Sequence, residues 1–133
     1  VFRFIGKWFG NEDWNLKIND LPEGLIQVKS PVTYVDSLVE ISNSDLLLVI
    51  DAPFTSSVFF PSKLVDYIGS GRPILAITPE GSCLNILKNI GGLHAFPDSI
   101  DSISDGIESA INSLKNKSIK LSFLKLILFL HLR

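Results

Sequence analysis

Residues 59–81 read FFPSKLVDYIGSGRPILAITPEG, and this stretch contains signals for a helix, a turn and a strand. Pro61 and Ser62 favour a helix start, because proline fits the first helical turn and a serine side chain can cap it. Apolar side chains then recur at helical spacing, at Leu64, Val65 and Ile68. Gly69 and Gly71 are predicted to end the helix and Pro73 prevents its continuation. The following apolar run predicts a buried strand over residues 74–77.

The same alternation of strand and helix continues on both sides of this stretch. The spacing predicts further strands over 2–5, 25–28, 46–50 and 93–96, and helices over 34–42, 82–89 and 98–115. The uninterrupted run at 46–50 is typical of a central strand that is buried on both faces. Together these patterns predict an α/β fold with one parallel sheet of about five strands and helices on both faces.

Helical spacing also predicts which side chains of the flanking helices face a core. In the helix over 34–42 they are Val35, Leu38, Val39 and Ile41. In the last helix they are Ile100, Ile103, Ile107, Ala110, Ile111 and Leu114.

Three polar residues at the predicted helix start form a candidate binding site. Ser62 and Asp66 are four residues apart and Lys63 and Asp66 are three apart, so all three lie near one helix face. Ligands of parallel sheets bind outside the carboxyl ends of the strands, where this helix begins. A hydroxyl, a cation and a carboxylate there suit a sugar nucleotide. On spacing alone, an ordinary Lys63–Asp66 surface pair worth about 0.2–0.5 kcal/mol is the alternative.

The segment PSKLVDYIGSGRPILAITPEG resembles the donor-site segment of GT-B glycosyltransferases of the family-4-like branch. Members of that family carry an acidic residue five positions before the glycine of an acidic-A-x-A-x-G-x-P pattern. Asp66, Gly71 and Pro73 hold those positions here. Many members also have a glutamate eight residues upstream of the acidic residue, and this chain has Val58 at that position.

The resemblance implies a Rossmann-like, carboxyl-terminal donor-binding domain that lacks its first strand–helix unit. It implies that Asp66 binds the ribose hydroxyls of a nucleotide sugar, with Pro61, Ser62 and Lys63 beside it. The loop that ends at Tyr34 resembles the family's nucleotide-base loop, although Tyr34 also fits a core or capping aromatic. Phe54, in the loop over 51–54, is a further donor-binding candidate, and a plain connection is the equal alternative for that loop.

Composition excludes several other classes of function. The chain has 133 residues, of which 46% are hydrophobic and 20% charged, as expected for one globular domain. Its net charge of −2 offers no argument for nucleic-acid binding. One cysteine excludes an internal disulfide, and with two histidines no metal site or cofactor is predicted. Cys83 is predicted to be a small residue near a helix start and His94 a core histidine, so no catalytic residue is identified.

The ends of the chain suggest a piece of a longer protein. There is no initiating Met and no signal peptide, and we expect a donor-binding domain over 1–117 and a tail over 118–133. The tail, SIKLSFLKLILFLHLR, is shorter than the roughly 20 residues of a membrane span. It is interpreted first as a helix packed on this domain or on an acceptor domain. A helix lying in the membrane interface and a non-native end are the alternatives.

The predicted function is therefore that of a glycosyltransferase domain, with a nucleotide sugar as substrate. The glycan or glycolipid acceptor would bind to a separate amino-terminal domain. The expected location is the cytoplasm, with peripheral contact at the inner face of the membrane as an alternative. Two other functions stay open, a sugar-nucleotide 2-epimerase on the same scaffold and a non-catalytic α/β binding module.

Overall fold

The computed structural model of the chain describes residues 1–7, 19–51, 53, 55–56, 58 and 60–116. Strands and helices alternate along most of this part of the chain, which confirms the α/β class. The elements are β1 (Phe2–Ile5), β2 (Ile26–Lys29), α1 (Tyr34–Ser42), β3 (Leu47–Ile50), α2 (Lys63–Ser70), β4 (Ile74–Ile77), α3 (Ser82–Ile90), β5 (Leu93–Ala95) and α4 (Ile100–Lys115). The chain divides into two compact units, residues 1–37 and 38–133.

The first unit contains a parallel pair of strands, β1 and β2. Their register runs from Phe2 opposite Ile26 to Ile5 opposite Lys29. Backbone hydrogen bonds extend the ladder at both ends, with the Phe2 amide donating to the Leu25 carbonyl at 2.7 Å. Every residue of the pair is exposed or only half-buried, so this small sheet contributes little to a closed core.

The second unit contains a parallel sheet with the strand order β3-β4-β5. Leu47 pairs with Ile74, and Leu75 pairs with Leu93. All four residues of β4 are buried, as expected for a strand with a neighbour on each side. The prediction that the apolar run at 46–50 forms the central strand is wrong for this sheet, because β3 lies at its edge and Ile50 is 62% exposed.

The five strands do not form one sheet in the described part of the chain, so the prediction of a single sheet of about five strands is wrong. They form a two-stranded and a three-stranded sheet, and every pairing in both is parallel. Apolar periodicity indicates that a segment is a strand and which side chains it buries, but it does not specify its neighbour. The residues of β1 and β2 are exposed or half-buried, so burial of apolar surface gives these strands little reason to join the three-stranded sheet.

The core of the second unit lies between the sheet and helices α2 and α3. Alternate residues of β3 and β4 face these helices, and each such residue pairs with one that faces the same way. The buried cluster consists of Leu47, Val49, Ile74 and Ala76 from the sheet, Leu64 and Ile68 from α2, and Cys83, Leu87 and Ile90 from α3. Ile41 of α1 packs against it.

Helix α4 packs against β5 and β4, and Gly106 lies at this contact. A Cβ atom placed on Gly106 would lie only 2.9 Å from the Cβ of Ala95 and 3.5 Å from Leu75 Cδ1. Leu75 points away from the α2–α3 side of the sheet, since its neighbours Ile74 and Ala76 face that side. The second unit therefore has helices on both faces of its sheet, as predicted for the fold.

Two predicted core residues of α4 are on its surface instead. Ile100 is 85% exposed and Ile111 is 44% exposed, whereas Ala110 is completely buried. The helix begins at Ile100 with Ser99 as its cap, and the Ser99 hydroxyl accepts a hydrogen bond from the Ser102 amide at 3.1 Å. The buried residues of α4 are Gly106, which lies close to β5, and Ala110. Only one side of the helix face that was predicted to be buried is therefore buried.

Helix α1 differs from its prediction in a similar way. Val35 and Val39 are exposed, and Ile41 carries its packing contact with the core.

No described helix is both long and apolar enough to cross a membrane. The predicted tail over 118–133 lies outside the described residues.

Candidate functional site

The predicted site begins at the amino-terminal end of α2, after the loop that follows β3. The Leu64 amide donates to the Pro61 carbonyl at 2.9 Å, and the Val65 amide donates to the Ser62 carbonyl at 3.2 Å. Ser62 has helical backbone angles, φ −56° and ψ −34°, and its side chain makes no capping bond. The prediction that Ser62 caps the helix through its side chain is therefore wrong. Its exposed side chain lies instead on the surface at the helix start.

Asp66 lies in the first turn of α2 and is half-buried, whereas Lys63 is exposed. The helix is fixed in place by Leu64 and Ile68, which are both in the buried core. The pKa of Tyr67 is raised, first by its burial and then by the negative charge of Asp66. A carboxylate at this end of a helix is favoured by the helix dipole.

Helix α2 is capped at its carboxyl end by a glycine in the left-handed conformation. Gly71 has φ 72° and ψ 7°, and its amide donates to the Ile68 carbonyl at 3.2 Å. The Ser70 hydroxyl donates to the Tyr67 carbonyl at 2.7 Å, and the Arg72 guanidinium donates to the Ser42 carbonyl. The prediction that Gly71 ends the helix is confirmed, whereas Gly69, which was also predicted to end it, lies within α2. A side chain at this position would be strained, because L-residues rarely adopt positive φ.

The carboxyl ends of the three strands in the second unit meet at one edge of the sheet. The Asp51 amide donates to the Ile77 carbonyl at 2.9 Å, and the Thr78 amide donates to the Ala95 carbonyl at 3.1 Å. These bonds continue the parallel ladders one residue beyond β3 and β4. Asp51 and Thr78 are thus neighbours at the edge from which α2 and α3 depart.

A polar cluster links the two strand ends at this edge. The Thr78 hydroxyl lies 3.4 Å from Asp51 Oδ2 and 3.4 Å from the Pro79 carbonyl oxygen. Thr78 is completely buried and Asp51 is half-buried. His94 Nε2 is 2.9 Å from the Thr78 carbonyl oxygen, and its ring meets Phe96 edge to face with centroids 4.5 Å apart. His94 therefore has a hydrogen-bonded, partly buried position, as predicted for a core histidine.

Cys83 lies beside this cluster in the first turn of α3, as predicted, and it is buried. Burial raises the pKa of its thiol, a hydrogen bond with Thr78 lowers it, and the charge of Asp51 raises it again. The thiol is therefore kept neutral and is not an activated nucleophile. Among the described residues, no group of three or more His, Cys, Asp or Glu side chains is placed to hold a metal ion.

Four of the predicted site residues lie at the start of one helix. Pro61, Ser62, Lys63 and Asp66 share the start of α2. Tyr34 begins α1 in the first unit, is 64% exposed, and accepts a hydrogen bond at its carbonyl from the Ser37 hydroxyl at 2.6 Å. Its assignment to the nucleotide base stays a prediction, and so does that of Phe54, which lies outside the described residues.

Thr78 is the residue at this edge that the sequence did not predict. It directly follows the strand at 74–77, just as Asp51 directly follows the strand at 47–50. The position immediately after each buried strand was the available signal, because such positions share one edge of a parallel sheet.

Comparisons of this chain with known proteins gave no relative. No protein-family model, no curated protein and no solved structure matches it.

Proposed function

We propose that this chain is the donor-binding domain of a glycosyltransferase of the GT-B, family-4-like type. It would bind a nucleotide-activated sugar for transfer to a glycan or glycolipid acceptor. The observation that carries the proposal is the half-buried carboxylate of Asp66 at the start of α2. Gly71, which has a left-handed conformation, and Pro73 hold the glycine and proline positions of the resembled pattern.

The chemistry of the helix start fits the parts of a nucleotide sugar. A carboxylate accepts hydrogen bonds only, and the two hydroxyls of a ribose are donors about as far apart as its two oxygens. Lys63, exposed one turn before Asp66, can approach a diphosphate with its ammonium group. The helix dipole favours the same anionic group at this end of α2.

Sugar transfer in this proposal takes place between the donor domain and a separate acceptor domain. Positioning both reactants accounts for much of the rate of such a reaction, and one domain positions only one of them. The purified chain is therefore expected to bind donor and to transfer no sugar. Detectable glycosyl transfer by this chain alone would contradict that expectation.

The proposal is tested by calorimetric titration of the protein with UDP, GDP and ADP. Asp66→Ala is expected to weaken binding of the preferred nucleotide by roughly ten- to a hundredfold, since a hydrogen bond to a charged group contributes about 1.5–3 kcal/mol. Asp66→Asn should weaken it less, because the amide retains one acceptor oxygen. Asp105→Ala, an exposed carboxylate on α4, is the matched control and should leave affinity unchanged.

Lys63 is tested in the same titrations. Lys63→Ala is expected to weaken nucleoside diphosphate binding more than nucleoside binding, because the ammonium would face the phosphates. Lys88→Ala, an exposed lysine in the last turn of α3, serves as its control.

The outcomes separate the three functions. Equal affinities for the parent and Asp66→Ala would refute the ribose assignment. Failure to bind any nucleoside diphosphate would favour a non-catalytic module. In a protein that also carries an acceptor domain, turnover of the donor without a transferred product would indicate an epimerase.

A further inference from the structure

The outer edge of β3 is open in the part of the chain that the structure describes. There β3 hydrogen-bonds to β4 alone. The amides of Leu47 and Asp51 both donate toward the β4 side. Because successive amides of a strand point to opposite sides, the amides of Leu48 and Ile50 are directed to the open edge. Ile50 is also 62% exposed, so this edge offers both backbone donors and apolar surface to a further strand.

The path of the chain selects this edge for the next parallel strand. The connections from β3 through β4 to β5 advance in one direction along the sheet, with α2 and α3 on one face. Helix α4 packs on the other face. Crossovers between parallel strands are right-handed in about 98% of cases, so a crossover on the opposite face advances in the opposite direction. A parallel strand that follows α4 therefore lies beyond β3, since β4 already has a neighbour on each side.

The chain after α4 is long enough to reach that position. Helix α4 starts after β5, packs along β5 and β4, and ends at Lys115. The position beyond β3 is three strand spacings from β5, or about 14 Å. The eight residues 116–123 span up to about 26 Å when extended, which covers this distance and the step from the helix layer to the sheet.

Residues 124–132, LKLILFLHL, which we call the tail segment, have the pattern of a strand. Leucine occupies every second position. Lys125, His131 and the adjacent Arg133 all fall on the alternate positions, so a strand places them on one side. In a helix, at about 100° per residue, these three side chains would be spread over about 200° of the circumference. The pattern favours a strand over the packed helix by which the tail was first interpreted.

The tail segment matches β3 in length and in the charges at its two ends. The apolar run LLLVI of β3 lies between Asp45 and Asp51. The apolar run LILFL of the tail segment has the same length and lies between Lys125 and His131. A parallel alignment of the two runs therefore places a basic side chain beside an acidic one at each end. Opposite charges at neighbouring positions of adjacent strands attract each other.

The charge of the whole tail also complements the rest of the chain. Residues 117–133 contain four of the 12 lysines and arginines and none of the 14 acidic residues. The other residues thus carry eight basic and 14 acidic side chains, a net negative charge that attracts this basic and apolar segment.

We propose that the tail segment adds to the outer edge of β3 as a parallel strand, with Lys125 beside Asp45 and His131 beside Asp51. The sheet of the second unit then has four strands, in the order tail segment-β3-β4-β5. Carbonyl groups of the tail segment accept hydrogen bonds from the two outward amides of β3. This inference does not depend on the binding of a nucleotide sugar.

The short connection favours the chain's own tail segment over that of another copy. A short flexible linker holds a tethered segment at an effective concentration in the millimolar range. At micromolar protein concentration the chain's own segment therefore fills the edge of β3. Only at much higher concentration does a second copy compete for it.

The first test is amide hydrogen exchange of the full chain, followed by NMR at micromolar concentration. The amides of Leu48 and Ile50 are expected to exchange at least about a hundredfold more slowly than unprotected amides. Leu128→Pro interrupts the tail segment and should accelerate both at least about tenfold. The His94 amide points to the opposite edge of the sheet and should be unchanged. Ser118→Pro, in the connection, is the matched control variant and should leave all three amides unchanged.

The second test is disulfide formation in double-cysteine variants of the full chain. Asp45→Cys with Lys125→Cys places two cysteines on adjacent strands, about 4.8 Å apart, within the range that a disulfide spans. This pair should form an intramolecular disulfide under mild oxidation. In the matched control, Asp45→Cys with His131→Cys, the two positions are about 20 Å apart and should stay reduced. The native Cys83 is buried and does not compete.

Several results would overturn the proposal. One is rapid exchange of the two outward amides of β3 in the parent chain, whether or not the chain binds vesicles of phosphatidylglycerol. Slow exchange that Leu128→Pro leaves unchanged would show that another segment covers the edge. Protection that increases with protein concentration in the micromolar range would assign the edge to a second copy. A disulfide that forms preferentially in the control pair would exclude the parallel alignment.

Discussion

Replacing Gly106 by alanine tests how closely α4 packs against the sheet. The new methyl carbon would lie 2.9 Å from the Cβ of Ala95, about 0.6 Å inside the 3.5 Å lower edge of ordinary carbon contact. The Ala95 Cβ is attached directly to the backbone of β5, so it cannot rotate away. The helix or the strand has to move, and overpacking of this kind costs about 1–3 kcal/mol.

Gly69 offers a matched control within a helix of the same unit. It lies in α2 near its carboxyl end, and a Cβ placed there has no atom within 4 Å. Alanine is favoured over glycine inside helices by up to about 1 kcal/mol, and this gain applies to both substitutions. The difference in stability between Gly69→Ala and Gly106→Ala therefore isolates the packing cost at Gly106.

The assay is urea denaturation of the full chain, followed by far-ultraviolet circular dichroism. We expect Gly69→Ala to be as stable as the parent or slightly more stable, and Gly106→Ala to unfold about 1–3 kcal/mol more easily than Gly69→Ala. Equal stability of the two variants would refute the close contact between α4 and β5. It would also mean that this contact does not limit which side chains of α4 are buried.

Three further predictions concern the core and its titrating groups. Leu64→Ala removes a completely buried side chain and should cost about 2–5 kcal/mol in a urea titration, whereas Val65→Ala, at an exposed position, should change stability by less than about 0.5 kcal/mol. Cys83 should react with iodoacetamide at neutral pH only after urea unfolds the chain, because it is buried and its pKa is raised; rapid alkylation of the native protein would contradict this. Burial raises the pKa values of Cys83 and Tyr67 above their ordinary values of 9.0 and 10.0, so the folded chain holds protons that the unfolded chain has released. The urea midpoint should therefore fall as pH rises above about 9, and a midpoint that rises there would contradict it.

The sequence predicted the elements of this fold better than their arrangement. The helix over 34–42 was predicted at its observed bounds, and the strand over 74–77 likewise, because periodicity and breakers act locally. The apolar run at 46–50 was wrongly placed at the centre of the sheet. The composition of this run shows that it is hydrophobic. The number of strands that lie beside it depends on residues far along the chain.

The candidate site shows the same difference between local patterns, which the sequence reveals, and contacts between distant residues, which it does not. Asp66 lies in α2 and Gly71 directly follows that helix, so their spacing forms a local pattern in the sequence. The contact between Asp51 and Thr78 joins residues 27 positions apart, and a single threonine after a strand carries no pattern of its own. It became visible only when the register of β3 and β4 was known.

The edge position of β3 has a consequence for handling the protein. In the part of the chain that the structure describes, β3 hydrogen-bonds to β4 alone, and parallel pairing on one side leaves alternate amides directed to the other. The run Leu46–Ile50 contains no charge, proline or glycine to discourage a second copy from adding a strand there. At high concentration, purified chains are thus expected to form β-rich aggregates, detectable by light scattering. Ile50→Lys would place a charge at the exposed end of this strand while leaving Leu47 and Val49 in the core, and should delay that assembly.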